Sequence, residues 1–234
     1  MLKRAVWWSC PVWLCLASPA MANIIVQQLP DPFGGPASDT LFQNQVGQVV
    51  WQQEADNIIL DAPAVVRQVS WWGFYGGSGR PTTPPPLTET MRIRFYGARP
   101  GDGLPDDNNI LLEEFHQDAV REATGVLVFV GGRPAEYRYQ VNLTTPLSLE
   151  AATLYWLEIV QIGDVESAFR WETGWGIVPS HAFRNAGIPS WQLVTGNQAF
   201  ELSTIPEPQT AVLVGVVSLL LVRRRGESAQ GFSI

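Results

Sequence analysis

An all-β chain built as one sandwich follows from three features of the sequence. Apolar residues recur at every second position in short runs, the period of a strand with one face in a core. Turn-forming residues separate these runs, and 21 Gly and 18 Pro among 234 residues supply them. No stretch between the termini carries the 3.6-residue apolar period over a convincing helix length.

Residues 23–46 give one short strand at Ile24-Ile25-Val26 and then a long Pro/Gly/Asp/Gln loop. Val49-Val50-Trp51-Gln52-Gln53-Glu54 reads as a strand, and Asn57-Ile58-Ile59-Leu60 as a second, stopped by Asp61-Ala62-Pro63. Residues 65–75 form a long strand with Val65, Val69 and Trp71 on one face and Val66, Trp72 and Phe74 on the other. Apolar residues on both faces place it centrally. Residues 76–87 are a loop. Its Gly77-Ser78-Gly79 is no phosphate cradle, because Pro81 and Pro84-Pro85-Pro86 follow and no helix N-terminus is available to hold an anion.

Met91, Ile93 and Phe95 alternate with Arg92 and Arg94, so the first set points inward and the arginines to water. Residues 98–109 form a turn-rich loop and 110–115 a strand. Residues 113–123 read equally as strand or as a short helix, given their Glu, Gln, Ala and Arg. Val126-Leu127-Val128-Phe129-Val130 is a buried strand. Tyr137, Tyr139, Val141 and Leu143 share one face of the next, and residues 154–162 are central and nearly all apolar. Residues 169–175, 182–185 and 199–202 supply shorter closing strands.

The termini differ in kind. Lys3 and Arg4, the apolar residues 5–16 and Ala20-Met21-Ala22 have the order of a secretory signal peptide, so cleavage after Ala22 leaves Asn23 as the mature start. Both cysteines, Cys10 and Cys15, fall in this segment. The remaining chain has no disulfide, thiolate nucleophile or cysteine metal ligand. Near the other end, residues 209–222 are apolar on every side, uncharged from Ala211 to Val222, and stop at Arg223-Arg224-Arg225. That is short for a spanning helix of about 20 residues. The arginines lengthen it by snorkelling and set the C-terminus in the cytoplasm. The expected organisation is therefore 1–22 signal peptide, 23–205 ectodomain, 206–225 membrane-sorting tail with its transmembrane helix at 209–222, and 226–234 cytoplasmic extension.

Pro206-Glu207-Pro208, the short apolar span and Arg223-Arg224-Arg225 resemble the PEP-CTERM sorting signal of Gram-negative bacteria. The resemblance implies recognition and cleavage by a membrane exosortase after signal peptidase has acted. It also implies a place at the cell surface or in the extracellular matrix, with exopolysaccharide and biofilm. Tails of that family end soon after the arginines, whereas residues 226–234 continue here. The apolar and aromatic block Ala55-Asp56-Asn57-Ile58-Ile59-Leu60, Val69-Ser70-Trp71-Trp72-Gly73-Phe74-Tyr75-Gly76 and Ile93-Arg94-Phe95-Tyr96, joined by Tyr155-Trp156-Leu157 and Ala199-Phe200-Glu201-Leu202, is similar to the jelly-roll-like ectodomains that accompany such tails. No catalytic residue transfers with that likeness.

Charge and composition remove several functions. The whole chain carries −7. Residues 23–205 hold ten arginines and twenty acids, 10 − 20 = −10, which disfavours nucleic acid as a partner. Lys3 is the sole lysine, so a P-loop, a Schiff base and a Ser-Lys dyad are all excluded. His116 and His181 are the two histidines and read as loop or surface residues. Ser180 adjoins His181, but strand neighbours face opposite ways, and no Gly-x-Ser-x-Gly elbow occurs. No zinc spacing motif surrounds either ring.

Three binding chemistries remain. Trp171, Trp175 and Trp191 lie in polar, turn-rich stretches and are candidate stacking platforms for sugars, while Trp71 and Trp156 belong to the core. Asp102, Asp106 and Asp107 crowd one loop in the manner of calcium ligands, although the spacing is not that of an EF-hand and these are ordinary turn residues. Glu113, Glu114, Glu136, Glu150, Glu158 and Glu172 could include the carboxylate pair of a glycan-active enzyme. The leading expectation is a non-enzymatic structural or glycan-interacting module without a cofactor. The alternatives are a secreted glycosidase or lyase and an unprocessed single-pass membrane protein.

Overall fold

The structure, a computed structural model, describes residues 23–43, 48–76, 85–130, 132–163, 168–175 and 180–204. Ala20, Ala22, Pro206, Glu207, Pro208, Arg223, Arg224, Arg225 and the span 209–222 lie outside these residues, as does Gly77-Ser78-Gly79.

Every described regular element is a strand. They are β1 (Asn23–Pro30), β2 (Asp39–Gln43), β3 (Val49–Ile58), β4 (Ala64–Tyr75), β5 (Met91–Ala98), β6 (Pro105–His116), β7 (Val120–Leu127) and β8 (Ala135–Leu149). There follow β9 (Tyr155–Gln161), β10 (Phe169–Trp171), β11 (Thr173–Trp175), β12 (Ser180–Asn185), β13 (Ile188–Thr195), β14 (Asn197–Gln198) and β15 (Phe200–Thr204). Two sheets result. The first runs β14-β11-β1-β15-β4-β8-β7, with β10 added to β4; the second runs β13-β12-β3-β2-β9-β5-β6. All pairings are antiparallel except a single parallel contact between β2 and β9.

The core lies between the sheets. Val69, Trp71, Tyr139, Val141, Phe200 and Leu202 come from the first; Ile58, Met91, Ile93, Phe95, Leu157 and Ile159 come from the second. Trp71 stacks on Tyr139 with ring centres 5.3 Å apart, and Tyr139 meets Phe169 edge-on. Fully burying one such apolar side chain is worth roughly 1.5–3 kcal/mol, so these alternating faces drive the fold.

Several local expectations need correction. Residues 49–60 are not two strands, because β3 runs unbroken through Glu54 to Ile58. Residues 113–123 are strand, turn and strand, not helix: β6 ends at His116 and β7 begins at Val120. β6 starts at Pro105, so the preceding turn is shorter than the sequence suggests. In β4 the register against β8 slips between Val66 and Gln68. That irregularity turns Val66 to the core side with Val69 and Trp71, and leaves Val65 outside. Val126, Leu127 and Phe129 are exposed and only Val128 of that run is buried, since β7 is the outermost strand of its sheet.

Arg92 does not point to water. The outer face of the second sheet carries its own apolar cluster of Ala55, Tyr96, Trp156, Ala182 and Trp191. Beside it Arg92 is buried and donates to Glu158 at 2.9 Å, and the Tyr96 hydroxyl donates to the other Glu158 oxygen. A strand residue facing away from the main core is thus still inside the protein.

Candidate functional site

The side chains with chemistry to offer gather on the outer face of the first sheet. Antiparallel register brings β1, β15, β4 and β8 side by side there at about 4.8 Å spacing. Gln27 Nε2 donates to Glu201 Oε2 at 2.8 Å. Arg138 donates to Ser70 Oγ at 3.0 Å and to Gln140 Oε1 at 3.3 Å, and lies 3.5 Å from Glu201. Its guanidinium also sits over the Trp72 ring, 5.5 Å from the centre. One step along the strands, Ser203 Oγ donates to Gln68 Oε1 at 3.1 Å, and Gln68 Nε2 donates to Asn142 Oδ1 at 3.0 Å. The face is a ladder of amides, hydroxyls, one guanidinium and one carboxylate; Ser70, Trp72, Glu201 and Ser203 are buried within it, and Gln27 and Asn142 are its exposed members. These groups can both give and take the hydrogen bonds of sugar hydroxyls.

At the end of this face Glu136 and Glu172 are buried within hydrogen-bonding reach of each other, with Asp31 nearby. Among the described residues neither Glu172 oxygen has a hydrogen-bond partner. Burial, then the charges of Glu136 and Asp31, pushes the Glu172 carboxyl up to about 10. Glu172 therefore keeps its proton at neutral pH. The loops at 31–37 and 128–134 close off this end, where Phe129 N donates to Pro32 O at 2.6 Å and Thr173 Oγ1 to Gly34 O at 2.7 Å. Gly34 has φ +126°, a left-handed geometry that favours glycine. Phe33 and Phe129 pair on the outside of these loops, 5.8 Å apart and both exposed.

The three tryptophans predicted to be platforms part company. Trp175 is 69% exposed at the end of β11. Trp171 is fully buried in the core, with its indole N–H on Ala199 O at 2.9 Å. Trp191 is 1% exposed, packed edge-on against Tyr96 under Arg184, whose guanidinium is 4.2 Å from its ring centre. Polar sequence neighbours misled here, because β13 and β12 fold over the outer apolar cluster.

The three aspartates are not brought together. Asp102 pairs with Arg99 at 2.6 Å, and that guanidinium holds its carboxyl below the usual range. Asp106 accepts the Asn108 N–H, and Asp107 pairs with Arg184 at 2.8 Å. Among the described residues no three His, Cys, Asp or Glu side chains form a metal-holding group.

Neither histidine is a surface residue. His116 ends β6 between Glu114 (3.0 Å) and Asp118 (3.2 Å), while Glu114 also accepts the backbone N–H groups of Thr144 and Thr145 at 2.9 Å each. His181 on β12 faces Glu54 of β3 at 3.2 Å, and its Nδ1 meets Gly196 O at 3.1 Å. Asp56, two residues along from Glu54, accepts the N–H of Asn57 at 2.7 Å and of Gln198 at 2.5 Å. Burial pushes the Asp56 carboxyl up to about 8 against the pull of those two amides. Burial likewise raises Glu54. For His181, burial opposes the charge, but the hydrogen bond and charge of Glu54 outweigh it and raise the ring. Only register contacts join these residues, so no local motif could have disclosed them.

Among the described residues no helix is long and apolar enough to cross a membrane. No curated protein matches the chain. The profile of a domain of unknown function, DUF7901, matches residues 26–214, which takes in nearly all of the two-sheet unit, and the chain belongs to that family.

Proposed function

We propose that this is an exported cell-surface or extracellular-matrix protein whose jelly-roll-like ectodomain binds a polysaccharide without transforming it. In this reading residues 1–22 are removed, and the Pro206-Glu207-Pro208 tail passes through the membrane at 209–222 and is sorted by an exosortase. The observation that carries the binding role is the 69% exposed Trp175 on β11, in the same sheet as the exposed Gln27 and Asn142 of the polar ladder. An exposed indole and a row of paired polar groups are the two contacts a neutral sugar chain uses. Affinity electrophoresis through gels containing the host's exopolysaccharide tests it. Retardation of the native protein and its loss in Trp175→Ala is the expected result; equal mobility with and without polysaccharide refutes the binding role. Intact mass from envelope and medium tests the sorting role, which requires a start at Asn23 and an end near Pro206.

One observation favours a second reading, a glycan-active enzyme. Burial beside Glu136 raises the Glu172 carboxyl to about 10, which is how such a group is kept as a general acid at neutral pH. Both are buried, so substrate would reach them only if the chain around them moved. New reducing ends or unsaturated ends released from the same polysaccharide, and abolished in Glu136→Gln, would replace the binding reading.

A further inference from the structure

On one side of the sandwich β3 and β12 meet β14, which also adjoins β1. Trp175 stands on β11, which has only two neighbours. Leu29 and Pro30 of β1 flank it on one side, and Asn197 and Gln198 of β14 on the other. β14 is two residues long and is tied to the opposite sheet by its Gln198 N–H on Asp56 Oδ2. Gln28 of β1, its amide turned to satisfy its neighbours, donates to the same oxygen at 3.1 Å and to Gln198 O at 3.0 Å. One carboxylate therefore holds both strands that hold the tryptophan strand.

That carboxylate belongs to a titrating group of three. A carbonyl cannot donate, so Nδ1 of His181 must carry the proton in its contact with Gly196 O. Nε2 then faces Glu54 Oε2 at 3.2 Å, and an ion pair there requires a second proton on the ring. Glu54 and Asp56 come from β3 and His181 from β12; β14 and β1 contribute only the amides of Gln198 and Gln28, and β9 contributes the apolar Leu157. With that second proton present, one cation lies among two acids. Without it, two acids stand on the same face of one strand, buried and without a counter-charge.

We propose that Glu54, Asp56 and His181 form a pH-operated clasp that holds β14, and through it the Trp175 strand, in place at neutral and acidic pH and releases them as the pH rises. The proposal rests on the binding reading for its biological use, and on geometry alone for its existence. The direction agrees with the burial-raised Asp56, which gains its charge near pH 8, and with the His181 ring that Glu54 raises.

Hydrogen exchange on the full-length protein in detergent tests it, read by mass on peptides covering residues 168–175 and 195–199 from pH 6 to 9 and corrected for intrinsic rates. Protection of both segments is expected to fall by about tenfold per pH unit once the clasp loses its proton. The β5–β9 pairing should keep its protection. Asp56→Asn and Glu54→Gln should each flatten the fall. Flat protection in the native protein, or an unchanged slope in both variants, overturns the clasp. Gel retardation on the exopolysaccharide at pH 6.5 and 9 is run in parallel. A steep exchange slope without retardation at any pH keeps the clasp and refutes the binding reading. Retardation with flat exchange does the reverse.

Discussion

The two sides of the sandwich are stitched by the same chemistry under opposite conditions. On one side Asp56 of the second sheet takes the Gln198 N–H of the first, with His181 and Glu54 beside it. On the other, Glu114 of β6 takes the N–H groups of Thr144 and Thr145 on β8, with His116 beside it. Each side spends one of the chain's two histidines next to an acid that binds backbone across the gap. The difference is water. Asp56 is fully buried, whereas the Glu114 side chain keeps 10% of its exposure and the Thr144 and Thr145 it binds are exposed. Donors at an exposed edge turn to water when their acceptor is lost. An acceptor in a low-dielectric interior is strong when satisfied and costly when its partners fail.

Removing the buried stitch should have the largest effect. Asp56→Ala strands the N–H of Gln198 and the amide of Gln28, and should cost about 3 kcal/mol in denaturant unfolding, as two orphaned buried donors do. Glu114→Ala should cost about 1.5 kcal/mol, because water can reach the freed Thr144 and Thr145 amides at that side. Equal losses would end the comparison.

The pH dependence follows with a definite sign. Asp56 and Glu172 have folded values above their unfolded ones, so the folded state holds extra protons. Their penalty is absent below about pH 4 and grows as pH rises, up to about 8 for Asp56 and about 10 for Glu172. The raised His181 gives stability that is complete below its ordinary value of 6.5 and is lost as pH climbs through its folded value. All three act in one direction, so the thermal midpoint should fall steadily from pH 5.5 to 9, and Asp56→Asn should make the fall shallower. A rising midpoint over that range would contradict the burial of these groups. The smallest change in stability belongs to Trp175→Ala, within about 0.5 kcal/mol, since the exposed ring holds little of the fold together. Thermal denaturation beside the gel assay separates that null effect from the expected loss of binding.

Much of the fold was legible because strand alternation is local. Met91, Ile93 and Phe95 face the core as the pattern requires, and so do Tyr139, Val141 and Leu143. Trp71 and Trp156 are buried as their apolar strands foretold. The failures share one cause. Alternation tells which residues share a face, but not whether that face meets water. Arg92 and Trp191 lie on the outer side of the second sheet, where a second cluster covers them. The polar ladder was missed for the complementary reason: Gln27, Ser70, Arg138 and Glu201 look like ordinary solvent-facing positions until register sets them side by side. The Asp56 stitch joins residues 142 positions apart, and no window along the chain contains both.

The pairing of β1 with β15 sets Asn23 opposite Thr204, so the first and last described strands are neighbours in the middle of the first sheet. A chain that emerges from its N-terminus must wait for residue 204 before β4 gains its partner on that side. Until then the sheet is open at its centre, and the inward sides of Val69 and Trp71 lack Phe200 and Leu202. Closure over so long a separation is slow. An interval of exposed, unpaired strand is therefore built into the topology, and whatever receives this chain as it is made must guard that gap.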